Sequence, residues 1–376
     1  KDKFSSLAVI MNSRKYSNAT FEEIGHLVKA IVSLGETCCA KDAAADCYEK
    51  KADALAAQSC DPTSPFPKHP GVERCCIQKG LERKLCLADL KQPPKEFPTY
   101  VEPSNEKLCE SFNKNPLLFS TRFLHDYSSN FAQAPLLVVI NSTENYLKMI
   151  TECCAKSKHA SCFLKQRLQI KPIHLLTVMS SRLCGRYNSY GEEKLKFSAL
   201  IMLSQKIPSA EFKDVKPIIE QSTKALAKCC NSLTDDCIEN ELSTHVQQVC
   251  KKFSTKDARV SECCKRSSSE ILYCLHSLPA AESITLPKLQ WPKTNQLCKK
   301  GKNEEMIKYT FELARRNTKL PFLEFKEWLI KALNKKFPKL SSSKRDEMVE
   351  QQSNLASTCC IINAPPVYCK EMIDKF

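Results

Sequence analysis

Glycine is almost missing, with seven residues in a chain of 376. Sandwiches, barrels and dinucleotide-binding turns all need residues at positive φ, so this scarcity argues against each of them. No apolar run approaches the roughly 18 residues of a membrane span. No charged, apolar, small-residue leader opens the chain, which reads as a mature or trimmed, soluble, secreted protein. The seven histidines, His26, His69, His125, His159, His174, His245 and His276, are scattered, with no pair at a spacing of three or four. No zincin helix, phosphate loop or serine elbow is present, so nothing points to an enzyme, a metal or a cofactor.

What is present has a helical period. Phe21, Ile24, Leu27, Val28, Ile31 and Val32 fall on one helix face, with Glu22, Glu23 and Lys29 on the other. Residues 197–207 repeat the pattern through Phe197, Leu200, Ile201 and Leu203. Prolines cluster between such segments, at residues 61–70, 91–103 and 278–292. The expected fold is all-α. At 376 residues there is room for two or three domains with real cores.

The formal charge is +15, with lysine-rich stretches at Lys299-Lys300, Lys331 to Lys339 and Lys344-Arg345. This fits a solvated helical surface or an attraction to an acidic protein or polyanion. Nucleic acid is a poor third choice, since no finger, basic zipper or aromatic-and-basic surface accompanies the charge.

The 23 cysteines include six adjacent pairs: Cys38-Cys39, Cys75-Cys76, Cys153-Cys154, Cys229-Cys230, Cys263-Cys264 and Cys359-Cys360. A bridge across one peptide bond is strained, so each doublet should reach one partner upstream and one downstream. The pairing expected on this rule is Cys38 with Cys47, Cys60 with Cys76, Cys75 with Cys86, Cys109 with Cys154, Cys153 with Cys162 and Cys184 with Cys230. It continues with Cys229 to Cys237, Cys250 to Cys264, Cys263 to Cys274, Cys298 to Cys360 and Cys359 to Cys369. Cys39 is left over, as a reactive thiol, a point of dimerisation or an inert buried group. Such a ladder needs an oxidising compartment. Zinc sites favour cysteines two to four residues apart, often with histidine, and that pattern is absent. The sequons Asn18-Ala19-Thr20 and Asn141-Ser142-Thr143 are glycosylation candidates.

Cysteine positions recur at an offset near 190 residues: 38 with 229, 47 with 237, 60 with 250, 75 with 263, 86 with 274, and 109 with 298. That is an internal duplication with a boundary near residue 172. The second copy ends irregularly, as if a stretch after Arg315-Arg316 had been skipped. The domains expected are 1–172, 173–316 with an incomplete end, and 317–376 as a remnant fused to the second.

The words that fill this pattern resemble the serum albumin family, and within it the vitamin D-binding branch. They include Ser64-Pro65-Phe66-Pro67, Gly80-Leu81-Glu82-Arg83-Lys84-Leu85-Cys86, Glu96-Phe97-Pro98-Thr99-Tyr100-Val101-Glu102-Pro103, Gln133-Ala134-Pro135-Leu136, Tyr309-Thr310-Phe311-Glu312-Leu313 and Asn363-Ala364-Pro365-Pro366-Val367-Tyr368-Cys369. The resemblance covers nearly the whole chain. It implies disulfide-clamped helical domains, the last one truncated, and an upstream segment carrying the partner of Cys39.

It also implies a blood-plasma carrier, a monomer, that holds a vitamin D sterol in a cleft of the first domain and captures monomeric actin on its surface. The matching helices are placed at Phe4 to Met11, Phe21 to Leu34, Tyr48 to Ser59 and Leu81 to Leu90. Phe4, Leu7, Met11, Tyr16, Tyr48, Leu55 and Leu87 would form apolar walls, with burial worth roughly 25 cal/mol per Å2. The polar anchors have changed. Asn12 stands where the family offers a tyrosine hydroxyl and Ala56 where it offers a serine; Leu87 replaces a methionine. Alanine and leucine side chains cannot hydrogen-bond, and each lost bond costs about 0.5–1.5 kcal/mol. Ser59, one turn from Ala56, could take up the ring hydroxyl. Carriage of fatty acids or other sterols, and an actin scavenger with weakened sterol binding, stay open as alternatives. So does the bland reading of Met11, Leu55 and Leu87 as ordinary core.

Overall fold

A computed structural model describes residues 2–93, 100–234, 236–281 and 341–349, together with isolated positions between 286 and 338. The helices run in order α1 (Asp2–Lys15), α2 (Phe21–Cys38), α3 (Cys47–Cys60), α4 (Glu73–Cys76), α5 (Gly80–Asp89), α6 (Asn105–Lys114) and α7 (Pro116–Asn130). They continue as α8 (Leu136–Cys154), α9 (His159–Lys206), α10 (Phe212–Cys229), α11 (Cys237–Phe253), α12 (Ala258–Cys263) and α13 (Ser268–Ser277). No strand occurs among the described residues. The chain is all-α.

Local chemistry sets the helix starts. Thr20 opens α2 with a capping box, its hydroxyl accepting from the Glu23 amide while the Glu23 carboxylate accepts from the Thr20 amide. Ser104 caps α6, and Asn115 caps α7 just ahead of Pro116, a residue suited to the first turn. Helix α9 runs through Pro172, whose missing N–H removes one bond to the carbonyl four residues back. It breaks at Gly191, where φ is 74°, a conformation that favours glycine.

Two compact units result. The first gathers the described residues of Lys1–Glu192, Ser222–Val246 and Arg266–Tyr273, and the second those of Glu193–Gln221, Gln247–Lys265 and the chain from Cys274 onward. In the first, α1 packs on α2, α7 and α8, and α6 packs on α7 and α8. Val9, Ile24, Leu27, Phe123, Tyr127, Val139, Met149, Ile150 and Phe163 are buried there. The second unit buries Ile207, Phe212, Val215, Val249, Phe253 and Val260. Phe311 stands edge-on to Phe212 at 5.5 Å, and Arg315 Nε donates to the Pro208 carbonyl at 2.9 Å.

Nine bridges are present among the described residues: 38–47, 60–76, 75–86, 109–154, 153–162, 184–230, 229–237, 250–264 and 263–274. Their Cα atoms stand 5.1–5.8 Å apart, within the range a bridge needs. Cys298 with Cys360 and Cys359 with Cys369 lie outside the described residues, as does most of 317–376. Cys39 is free and exposed. Its counterpart in the second copy, Cys230, joins Cys184 over a separation of 46 residues.

Candidate functional site

The helices expected to hold a ligand form a rim in the first unit. Helix α1 packs on α2, α2 on α3, and α3 on α5. The remaining side is closed by polar contacts: Lys15 Nζ donates to the carbonyls of Leu87 at 2.9 Å and Ala88 at 3.0 Å, in the last turn of α5. A cation there also complements the helix dipole. Burial lowers the Lys15 pKa, an effect opposed by nearby Asp89. Beside it, Tyr16 meets His69 edge-on at 6.1 Å. His69 Nδ1 accepts from the Gly71 amide, which leaves Nε2 as donor to the Lys91 carbonyl at 2.7 Å.

Each expected wall residue now has a place. Phe4, Leu7 and Met11 are exposed on α1 at 49, 37 and 49 %, and Tyr48 is exposed at 66 % on α3. The Phe4 ring lies over Gly35 of α2, 3.7 Å from where a Cβ would stand, so an alanine there would meet it in ordinary contact. Leu55 is half-buried against the core and Leu87 is half-buried on α5. Tyr16 and Ala56 are buried, and Tyr16 belongs to the core cluster of α1, α2 and α7. Two exposed leucines of the rim, Leu81 and Leu85 on α5, were not picked out beforehand. Their spacing of four on an amphipathic helix was the available signal.

The polar positions of the rim are occupied locally. Asn12 Nδ2 donates to the Ala8 carbonyl at 2.8 Å, and Ser59 Oγ donates to the Leu55 carbonyl at 3.1 Å. Each keeps lone pairs able to accept from a ligand hydroxyl. Ala56 offers no side-chain polar atom.

A cavity of about 530 Å3 lies in the second unit, lined by Pro208, Ser209, Lys256, Arg259, Pro279 and Ala281 among others. Its cations are paired. Lys256 meets Asp214 at 2.9 Å, Asp214 meets Lys252 at 3.0 Å, and Arg259 meets Asp257 at 2.7 Å. The hydrogen bond from Lys256 holds the Asp214 carboxyl below its ordinary range. The walls come from segments some 70 residues apart, so no local pattern announced them. Among the described residues no helix is long and apolar enough to cross a membrane, and no cluster of His, Cys, Asp and Glu is arranged to hold a metal.

Comparison with known proteins gives two family matches: the serum albumin family over residues 1–163 and 182–324, and domain III of vitamin D binding protein over residues 312–376. The vitamin D-binding protein of Homo sapiens is 39 % identical over 431 residues, covering all of this chain and 91 % of that one. That of Mus musculus is 39 % identical, with 90 % covered. Rabbit albumin is 25 % identical over 326 residues, covering 84 % of this chain and 53 % of its own. The 431 aligned positions outnumber the chain's 376 residues by 55, so gaps fall on this chain. A structure of human afamin aligns at 18 % identity and a TM-score of 0.41, covering 99 % of this chain, which spans 65 % of afamin's length.

Proposed function

The chain belongs to the serum albumin family, and on that premise we propose that it is a secreted carrier that holds a vitamin D sterol against the α1–α2–α3–α5 rim and binds monomeric actin on its surface. The observation that carries this reading is the row of exposed apolar side chains, Phe4, Leu7 and Met11, on a helix whose opposite face is buried core. A helix that buries one face and leaves a second apolar face in water pays for it unless something covers that face. A secosteroid, almost wholly hydrocarbon, has the chemistry to do so. The names of the relatives support the sterol, and the nine bridges support an oxidising compartment. Actin is acidic, so the net charge of +15 favours fast association.

Two observations favour a second reading, carriage of apolar ligands other than vitamin D. Ala56 cannot anchor a hydroxyl, and the Asn12 amide already donates to its own helix. The cavity in the second unit offers such ligands another place.

Titration of the full chain with 25-hydroxyvitamin D, a long-chain fatty acid and monomeric actin separates these readings. Saturable sterol binding, weakened at least tenfold by Met11→Asp, is expected for the rim. Saturable fatty-acid binding that is indifferent to Met11→Asp moves the site to the second unit. Actin binding without sterol binding leaves only the scavenger.

A further inference from the structure

Both acceptor asparagines, Asn18 and Asn141, are exposed, but the two sequons differ in backbone and in the placement of the residues that follow. Asn18 lies in the turn between α1 and α2, exposed, and Thr20 is exposed and extended at φ −72° and ψ 160°. The second sequon lies inside α8. Asn141 Oδ1 accepts from Asn145 Nδ2 at 2.8 Å. Ser142 is buried with its hydroxyl 2.7 Å from Tyr127, and Thr143 is fully buried with its hydroxyl on the carbonyls of Val139 and Ile140. An acceptor sequon belongs to a surface loop that can wrap into a transferase and then carry a bulky, hydrated group.

We propose that Asn18 carries an N-linked glycan and that Asn141 does not. The Asn18 side-chain nitrogen forms a bond to the anomeric carbon of an oligosaccharide, and the sugar–phosphate bond of a lipid-pyrophosphate donor breaks. The amide gives up one proton, and the lipid pyrophosphate leaves. The α1–α2 turn has room for the product, since the residue stands outside the core that its neighbours Tyr16 and Ser17 enter. The capping box at Thr20 fixes the turn without using Asn18. In α8 the same chemistry is confined to the interval before the helix packs, because once folded its Ser142 and Thr143 are committed to the buried face.

This proposal rests on secretion, so the test uses full-length protein collected from the medium of animal cells, which has passed the transferase. Peptide-N-glycosidase treatment in heavy-oxygen water, followed by peptide mass spectrometry, is expected to convert Asn18 to labelled aspartate and leave Asn141 as asparagine. N18Q, and the isosteric N18D as a second variant, should each lose the mass of one glycan, while N141Q changes nothing. T20S keeps both the sequon and a capping hydroxyl and should retain the glycan. Secreted protein with a bare Asn18, or with a glycan on Asn141, overturns the proposal without touching the secretion reading. Absence of the protein from the medium counts against both.

Discussion

The α3–α5 stretch and the bundle of α6–α8 belong to one unit and are held by different means. Helix α5 buries no residue, α3 buries only Ala56, and α4 only Cys75, yet three bridges tie this short stretch together. Helices α7 and α8 bury six and nine residues. There, Phe123 stacks on Tyr146 at 4.2 Å, and two bridges, 109–154 and 153–162, join a core already dense with buried side chains. In α3–α5, where few side chains are buried, covalent links replace the burial that would otherwise fix the helices. For loops of this length each link is worth roughly 2.5–4 kcal/mol in the chain-entropy model.

The sharpest way to break the contrast is to cut both regions. Ile150→Ala in the bundle should cost about 2–5 kcal/mol of global stability, seen as a shifted denaturant midpoint. Cys75→Ser with Cys86→Ser should cost about 2.5–3 kcal/mol. Its signature should be local, with faster amide exchange in α3–α5 and little change in α7 and α8; uniform loss of protection would show that the bridges serve the whole unit equally.

A smaller effect belongs to the buried polar network of the bundle. Tyr127 places its hydroxyl 2.7 Å from Ser142 and 2.9 Å from His174 Nδ1, and burial pushes its pKa up to about 12. Tyr127→Phe should cost about 0.5–1.5 kcal/mol. Burial also lowers the His174 pKa below 6.5, with Glu102 opposing. The unfolded chain then binds the proton more readily, so this stability is complete above pH 6.5 and is lost as the pH falls below it. His174→Phe should flatten that slope in acid unfolding curves, while the rim stays indifferent. The smallest effect is expected at Leu85→Ala, within about 0.5 kcal/mol of the parent, although it should weaken an apolar ligand if the rim holds one.

Much of this was legible from spacing. The doublet rule needs only the geometry of one peptide bond, and the face of α2 follows from Ile24, Leu27 and Val28 recurring at helical intervals. The skipped stretch was visible because Cys298 stands further from its doublet than Cys109 does, and the family matches overlap over residues 312–324, close to that join. Helix ends were less legible. Helix α1 runs from Asp2 to Lys15, beyond the Phe4–Met11 stretch its apolar residues mark, because Asp2 at its start and Arg14 and Lys15 at its end suit the dipole. Leu90 falls outside α5 and is buried. Tyr16 could not be told from a cleft wall by pattern, since its burial depends on α7, about a hundred residues away. The Tyr127–His174 bond, across 47 residues, and the second-unit cavity likewise depend on contacts that no local pattern announces.

Lys15 has one more consequence. Three borders of the rim are closed by helix against helix, and undoing any of them would wet apolar surface. The fourth is fastened by an ammonium and an imidazole resting on carbonyls, groups for which water is a ready substitute. Of the four borders that one parts most readily, and parting it leaves the bundle behind it shut.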